Sequence, residues 1–213
     1  MKRISGNISN ILGIALIIIG LGLVGHYAWG KIQVAYHQQQ LQKEFEESLP
    51  EAPEEPEEEP GNEEEEELRV VFEDWAPMRL TIPKINVDLM VLTGGVFDTD
   101  LLDKGPVHYE MSDLPSTESG NVAIAGHRAG RWGFFYYLHE LEEGDRIYLY
   151  TGGYRFAYAV KDVFIIQPTD WSVIHTTEVP SITLTTCGPL NRPATHRLVA
   201  RAELEEVTRM SRQ

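Results

Sequence analysis

The chain has 213 residues, enough for one domain with appendages, and a formal net charge of −15. Fourteen glutamates and no lysine or arginine lie between residues 44 and 67. The remainder carries 19 acidic groups against 18 basic ones, so it lacks the basic patch that nucleic-acid binding needs. A single cysteine excludes an internal disulfide.

Residues 1–10 form a short basic tail with Lys2 and Arg3. Residues 11–25 carry no charge. With Ala28 and the flanking His26, Tyr27 and Trp29, they make a helix long enough to cross a hydrocarbon layer of about 30 Å. The span is assigned to 11–30, with Tyr27 and Trp29 at the interface. The basic tail predicts a cytoplasmic N-terminus and an extracellular remainder. A cleaved signal peptide is the competing reading, because Ala28-Trp29-Gly30 is a passable cleavage site. Residues 31–70 begin as a Gln/Glu/Lys-rich helix leaving the membrane. They continue as a Pro/Glu run that cannot bury apolar area and repels itself, so an extended, disordered acidic linker is expected there, holding the next domain off the membrane.

From about residue 68 the composition is globular, and a folded domain is assigned to 71–213. Residues 78–85, 87–92 and 121–127 are strand candidates. Apolar positions Phe134, Phe135, Tyr137, Leu138 and Leu141 predict one short amphipathic helix. Residues 146–150 and 154–164 read as a hairpin about Gly152-Gly153. Residues 181–189 and 197–204 read as a second antiparallel hairpin, joined by a loop of Gly, Pro and Asn. Many short strands with frequent Gly, Pro and Asp predict a mainly all-β barrel or sandwich.

Side chains two apart on a strand share a face. Burying Ile182 and Leu184, and in the partner strand Leu198, Ala200, Ala202 and Leu204, leaves Thr183, Thr185, Cys187, Arg197, Val199 and Arg201 on the opposite side. The hairpin brings Cys187 and Arg197 together at one end, and the pattern predicts that both are exposed on a sheet surface. A guanidinium beside a thiol favours the reactive thiolate. A cysteine nucleophile needs a proton partner, usually histidine. His127 ends the strand 121–127, where Val122 and Ile124 share the apolar face. Ala123, Ala125 and His127 share the other, and the two alanines predict a shallow groove floor leading to the imidazole. His108 and Asn121 are candidates for supporting roles. His196 lies on the wrong face and takes none. No His/Cys/carboxylate cluster has metal-ligand spacing, and no phosphate-binding glycine loop is present, so neither metal nor cofactor is expected.

Three segments then match a known family. Ala125-Gly126-His127-Arg128, Thr183-Leu184-Thr185-Thr186-Cys187 and Arg197-Leu198-Val199 closely resemble the sortases, membrane-anchored cysteine transpeptidases of Gram-positive-type bacteria. The stretches 105–126 and 141–160 also look like the family, and the likeness covers roughly residues 80–204. The resemblance implies a closed barrel of about eight strands with one or two short helices. It implies that Cys187 attacks the threonine carbonyl of a Leu-Pro-x-Thr-Gly-like sorting signal to form a thioacyl enzyme. His127 would be the general acid and base, and Arg197 would hold substrate and stabilise the oxyanion. Thr185 and Thr186 would contact the substrate. Partners would be secreted proteins bearing the sorting signal and an amine acceptor such as a peptidoglycan precursor. Asp74-Trp75 lacks the proline of the pilin-polymerising enzymes' lid, and the chain looks closest to the class D or class E groups. A hydrolase with the same thioacyl chemistry and a non-enzymatic surface module are the alternatives.

Overall fold

A computed structural model of the chain describes residues 3–50, 68–129, 132–188 and 195–210. Residues 51–67, on which the disordered linker was expected, lie outside the described residues, as does the loop 189–194 of the second hairpin.

Helix α1 runs unbroken from Arg3–Ser48, 46 residues, about 69 Å at 1.5 Å per residue. Its apolar stretch leaves Ile14, Leu16, Ile17, Ile18, Leu21 and Leu23 exposed, and it is long and apolar enough to cross a membrane. The following segment does not trail away as a spacer helix would. Phe45 is buried, and the Gln38 side chain bonds the backbone of Met90.

Eight strands close a barrel: β1 (Met78–Ile82), β2 (Val87–Gly94), β3 (Val107–Tyr109), β4 (Asn121–Ala125), β5 (Arg146–Thr151), β6 (Tyr154–Ile166), β7 (Ser181–Gly188) and β8 (His196–Arg209), in the order β1-β2-β3-β4-β7-β8-β6-β5. β2–β3 and β4–β7 pair in parallel; the other neighbours are antiparallel. Leu80, Ile82, Ile124, Leu149, Phe156, Tyr158, Ile182 and Leu184 fill the interior with almost no exposure. The β5–β6 hairpin turns on Gly152 and Gly153, whose φ values of 53° and 79° suit a tight primed turn.

Three local expectations are corrected. The apolar stretch 134–141 is not an α-helix. It forms turns and a single 3-10 turn at Leu138–Glu140, with Phe135, Leu138 and Leu141 buried. The short α-helix in the domain is instead α2 (Thr99–Leu102), whose start is capped by the Asp98 carboxylate accepting from the Asp100 and Leu101 amides. The strand candidate 78–85 stops at Ile82, where Pro83 opens a 3-10 turn. Finally, the face carrying Thr183, Thr185 and Val199 is not open to solvent. A second, smaller apolar cluster covers it, built from Tyr109, Val173 and Ile174 with Phe164 and Ile166 at its edge, and only the Cys187–Arg197 end stays half-exposed.

Candidate active site

β7 carries three threonines and Ile182, β-branched residues that suit a packed pleated surface. It lies between two partners that fix what stands beside its end. On one side β8 pairs antiparallel, placing Cys187 directly opposite Arg197. On the other side β4 runs parallel, with Ala123 beside Thr183 and Ala125 beside Thr185. Two residues past Ala125, just beyond the end of β4, comes His127, and two past Thr185 comes Cys187; both line one cleft. The pairing continues past the end of β4, because the Gly126 amide donates to the Thr185 carbonyl at 3.0 Å. The Thr186 hydroxyl donates to the Gly126 carbonyl at 2.7 Å. Gly126 must be glycine here: a Cβ would stand 2.7 Å from the ring of Phe135, which packs under this corner. Thiol and guanidinium therefore come from the paired strands β7 and β8, and the imidazole from the segment that follows β4 on the other side of β7.

A cleft of about 160 Å³ opens at this point. Ala125, His127, Thr185, Cys187 and Arg197 line it, and Tyr109, Trp171, Val173 and Phe97 form a largely apolar wall. Tyr109 donates to, or accepts from, the Thr185 hydroxyl at 2.8 Å. Burial pushes its phenol pKa up, against the opposing pull of the Thr185 hydrogen bond and the Arg197 charge, so it stays neutral. His127 Nε2 lies 3.2 Å from Asp103 Oδ1. Behind the strand end, the buried Arg128 directs Nη1 to the Cys187 carbonyl at 3.4 Å, while its Nε has no hydrogen-bond partner. Among the described residues no group of three His, Cys, Asp or Glu could hold a metal.

This arrangement falls within a recognised domain: a family model described as "Sortase domain" matches residues 80–205. The chain belongs to the sortase family. Sortase A of Bacillus anthracis is 33% identical over 110 residues, covering 51% of this chain and 50% of that one. Sortase SrtE1 of Streptomyces coelicolor is 32% identical over 124 residues, covering 52% of this chain and 35% of that one. The chain thus spans half or less of the length of these curated relatives. Among solved structures, a lid mutant of Sortase A from Corynebacterium diphtheriae superposes with a TM-score of 0.56 at 28% identity, covering 65% of this chain and 72% of that one. A Sortase D5 transpeptidase of Clostridium perfringens gives 0.54 at 26% identity, covering 62% and 79%.

The residues singled out from the sequence divide in this sortase. His127, Cys187, Arg197, Ala125 and Thr185 meet in the cleft. Thr186 borders it, but its hydroxyl is committed to the Gly126 carbonyl. Ala123 is fully buried in the second apolar cluster and is not part of the groove floor. His108 sits opposite Ile124 on the interior side of the sheet and packs on Trp75, 5.4 Å between ring centroids. Its Nε2 shares hydrogen bonds with the Ser112 hydroxyl and the Asp113 carbonyl. Asn121 holds the cleft wall: Nδ2 donates to the carbonyls of Val173 and His175, and Oδ1 accepts from Thr183. Trp75 belongs to the interior side, so Asp74-Trp75 does not cover the cleft. Four neighbours of the site had not been singled out: Tyr109, Asp103, Arg128 and Trp171. The strand that positions Tyr109, Val107–Tyr109, was not among those expected, so the sequence carried no signal for it.

Proposed function

We propose that this sortase is a single-pass membrane enzyme in which residues 11–30 anchor a catalytic unit of residues 71–213. Its reaction is transpeptidation at a Leu-Pro-x-Thr-Gly-like sorting signal. The Cys187 sulfur attacks the threonine carbonyl, and the C–N bond to the next residue breaks. His127 gives its proton to the departing amine, leaving a thioacyl enzyme. An acceptor amine then attacks the thioester, His127 takes its proton, and the thiolate returns as leaving group. Arg197, directly across from Cys187, is placed to meet charge developing on the carbonyl oxygen. The apolar wall of Phe97, Trp171 and Val173 suits the aliphatic end of an extended peptide. The observation that supports this reading is that His127, Cys187 and Arg197 line one cleft, with Cys187 and Arg197 paired across β7 and β8.

The test is the full chain in detergent with a sorting-signal peptide library and an oligoglycine or diamine acceptor. Amine-bearing product is expected from the wild type and none from Cys187→Ala. His127→Ala and Arg197→Ala are expected to lose on the order of 10²–10³ in kcat. Product that never incorporates the amine would leave hydrolysis and remove transpeptidation.

A further inference from the structure

The second half of α1 is docked on the barrel. Its sheltered positions, Val34, His37, Gln38, Leu41 and Phe45, recur at three- and four-residue spacing, which is a single helix face. Phe45, at 3% exposure, is the apolar end of that contact.

Gln38 sits in a socket. β3 is only three residues long and pairs with β2 from Leu92 onward, so the edge of β2 at Met90 has no strand beside it. An open edge is a row of unpaired donors and acceptors. The Gln38 side chain takes the strand's place there: Oε1 accepts from the Met90 amide at 2.7 Å and Nε2 donates to the Met90 carbonyl at 3.2 Å. The same Nε2 donates to the Lys104 carbonyl at 3.0 Å. Gly105 makes room for it, since a Cβ there would stand 2.5 Å from Nε2.

The neighbour of Lys104 is Asp103, whose carboxylate meets His127. Asp103 ends α2, a helix of four residues, too short to hold its own geometry in water. Seven residues before Gln38, Lys31 Nζ stands 5.1 Å from the ring of Trp132, in the segment that follows His127. The helix therefore touches the chain on both sides of the imidazole.

We propose that the juxtamembrane half of α1 is a working part of the catalytic unit: Gln38 clamps it into the open edge of β2 and holds the Asp103 turn against His127. Gln38 and Asp103 are positioning residues, acting on the reaction through the imidazole. The docking stands on the contacts alone, whereas the effect on turnover rests on the transpeptidase reading above.

The experiment uses the full chain in lipid nanodiscs and takes two measurements on wild type, Gln38→Leu, Gln38→Glu, Gly105→Ala, Asp103→Asn and Asp103→Glu. Hydrogen exchange at the Met90 amide reads the clamp. Steady-state kinetics with a sorting peptide and an amine acceptor read its consequence. Gln38→Leu and Gly105→Ala are expected to speed Met90 exchange roughly tenfold and to lower kcat about three- to tenfold, with KM for the peptide unchanged. Gln38→Glu keeps the acceptor and loses the donors, so it falls between. Asp103→Asn reproduces the kinetic loss without the exchange change, and Asp103→Glu restores part of kcat. Equal Met90 exchange in wild type and Gln38→Leu overturns the clamp. Faster exchange with unchanged kcat overturns its link to His127. A wild type that transfers no acyl group to any amine ends the transpeptidase reading and the kinetic half with it, and the exchange comparison still decides the docking.

Discussion

Cys187 owes its neighbours to strand pairing, and two residues just outside its cleft carry separate consequences. His108 is buried on the interior side of the sheet, and that burial lowers its pKa below the ordinary 6.5. The unfolded chain therefore binds a proton that the folded chain refuses, in a window that opens at about pH 6.5 and extends downward. Stability from this group is fully present above that pH and falls as pH drops through it. His108→Gln is expected to flatten the slope of the melting temperature between pH 7 and pH 5; an unchanged slope would place the acid sensitivity elsewhere. Arg128 buries a guanidinium with an unpartnered Nε. Replacing a buried charge by an apolar group of similar length is often neutral or stabilising. Arg128→Met is expected to melt no lower than the wild type yet form the thioacyl enzyme more slowly, because the Cys187 carbonyl loses its contact. Melting curves and a single-turnover burst separate the two effects. The pairing of Cys187 with Arg197 was legible from alternation alone. Arg128 was not: nothing in a run of Gly-His-Arg says that the arginine turns back behind the strand.

The β7–β8 hairpin and the β5–β6 hairpin follow the period-two pattern, and both appear in the expected place. The stretch 134–141 shows how such patterns mislead. Its apolar spacing fits a helix, but Phe135, Leu138 and Leu141 are spaced three apart, which a run of turns ending in a 3-10 turn satisfies equally well. The covered outer face of β7 was illegible for a different reason. Its lid comes from the 3-10 turn at Ser172–Ile174, and two side chains, Asn121 and Arg201, tie that turn down. Asn121→Ala removes three hydrogen bonds and leaves the buried Thr183 hydroxyl without its acceptor, at about 2–4 kcal/mol. The expected result is a lower melting midpoint and a raised KM for the sorting peptide, since Val173 and Trp171 line the cleft that this turn supports. A variant with unchanged KM would separate the turn from substrate binding.

At the scale of the molecule, the barrel and the long apolar N-terminal helix were readable from composition and strand count. The docking of α1 was not, because a Gln-rich helix surface looks like any solvated one until the edge of β2 is seen to lack a partner. The parallel β4–β7 pair has a consequence of its own. Ala125 and Thr185, register partners, are about sixty residues apart along the chain. Contacts of such long range form only after loop-closure entropy has been overcome, whereas the β5–β6 hairpin between them is local. Cys187 therefore meets His127 late in refolding. A refolding chain would pass through a stage with the β5–β6 hairpin formed and Cys187 still apart from His127. In a stopped-flow experiment, hairpin fluorescence should recover before thiol alkylation reaches its native rate, and simultaneous recovery would mean that the two halves of the barrel condense together.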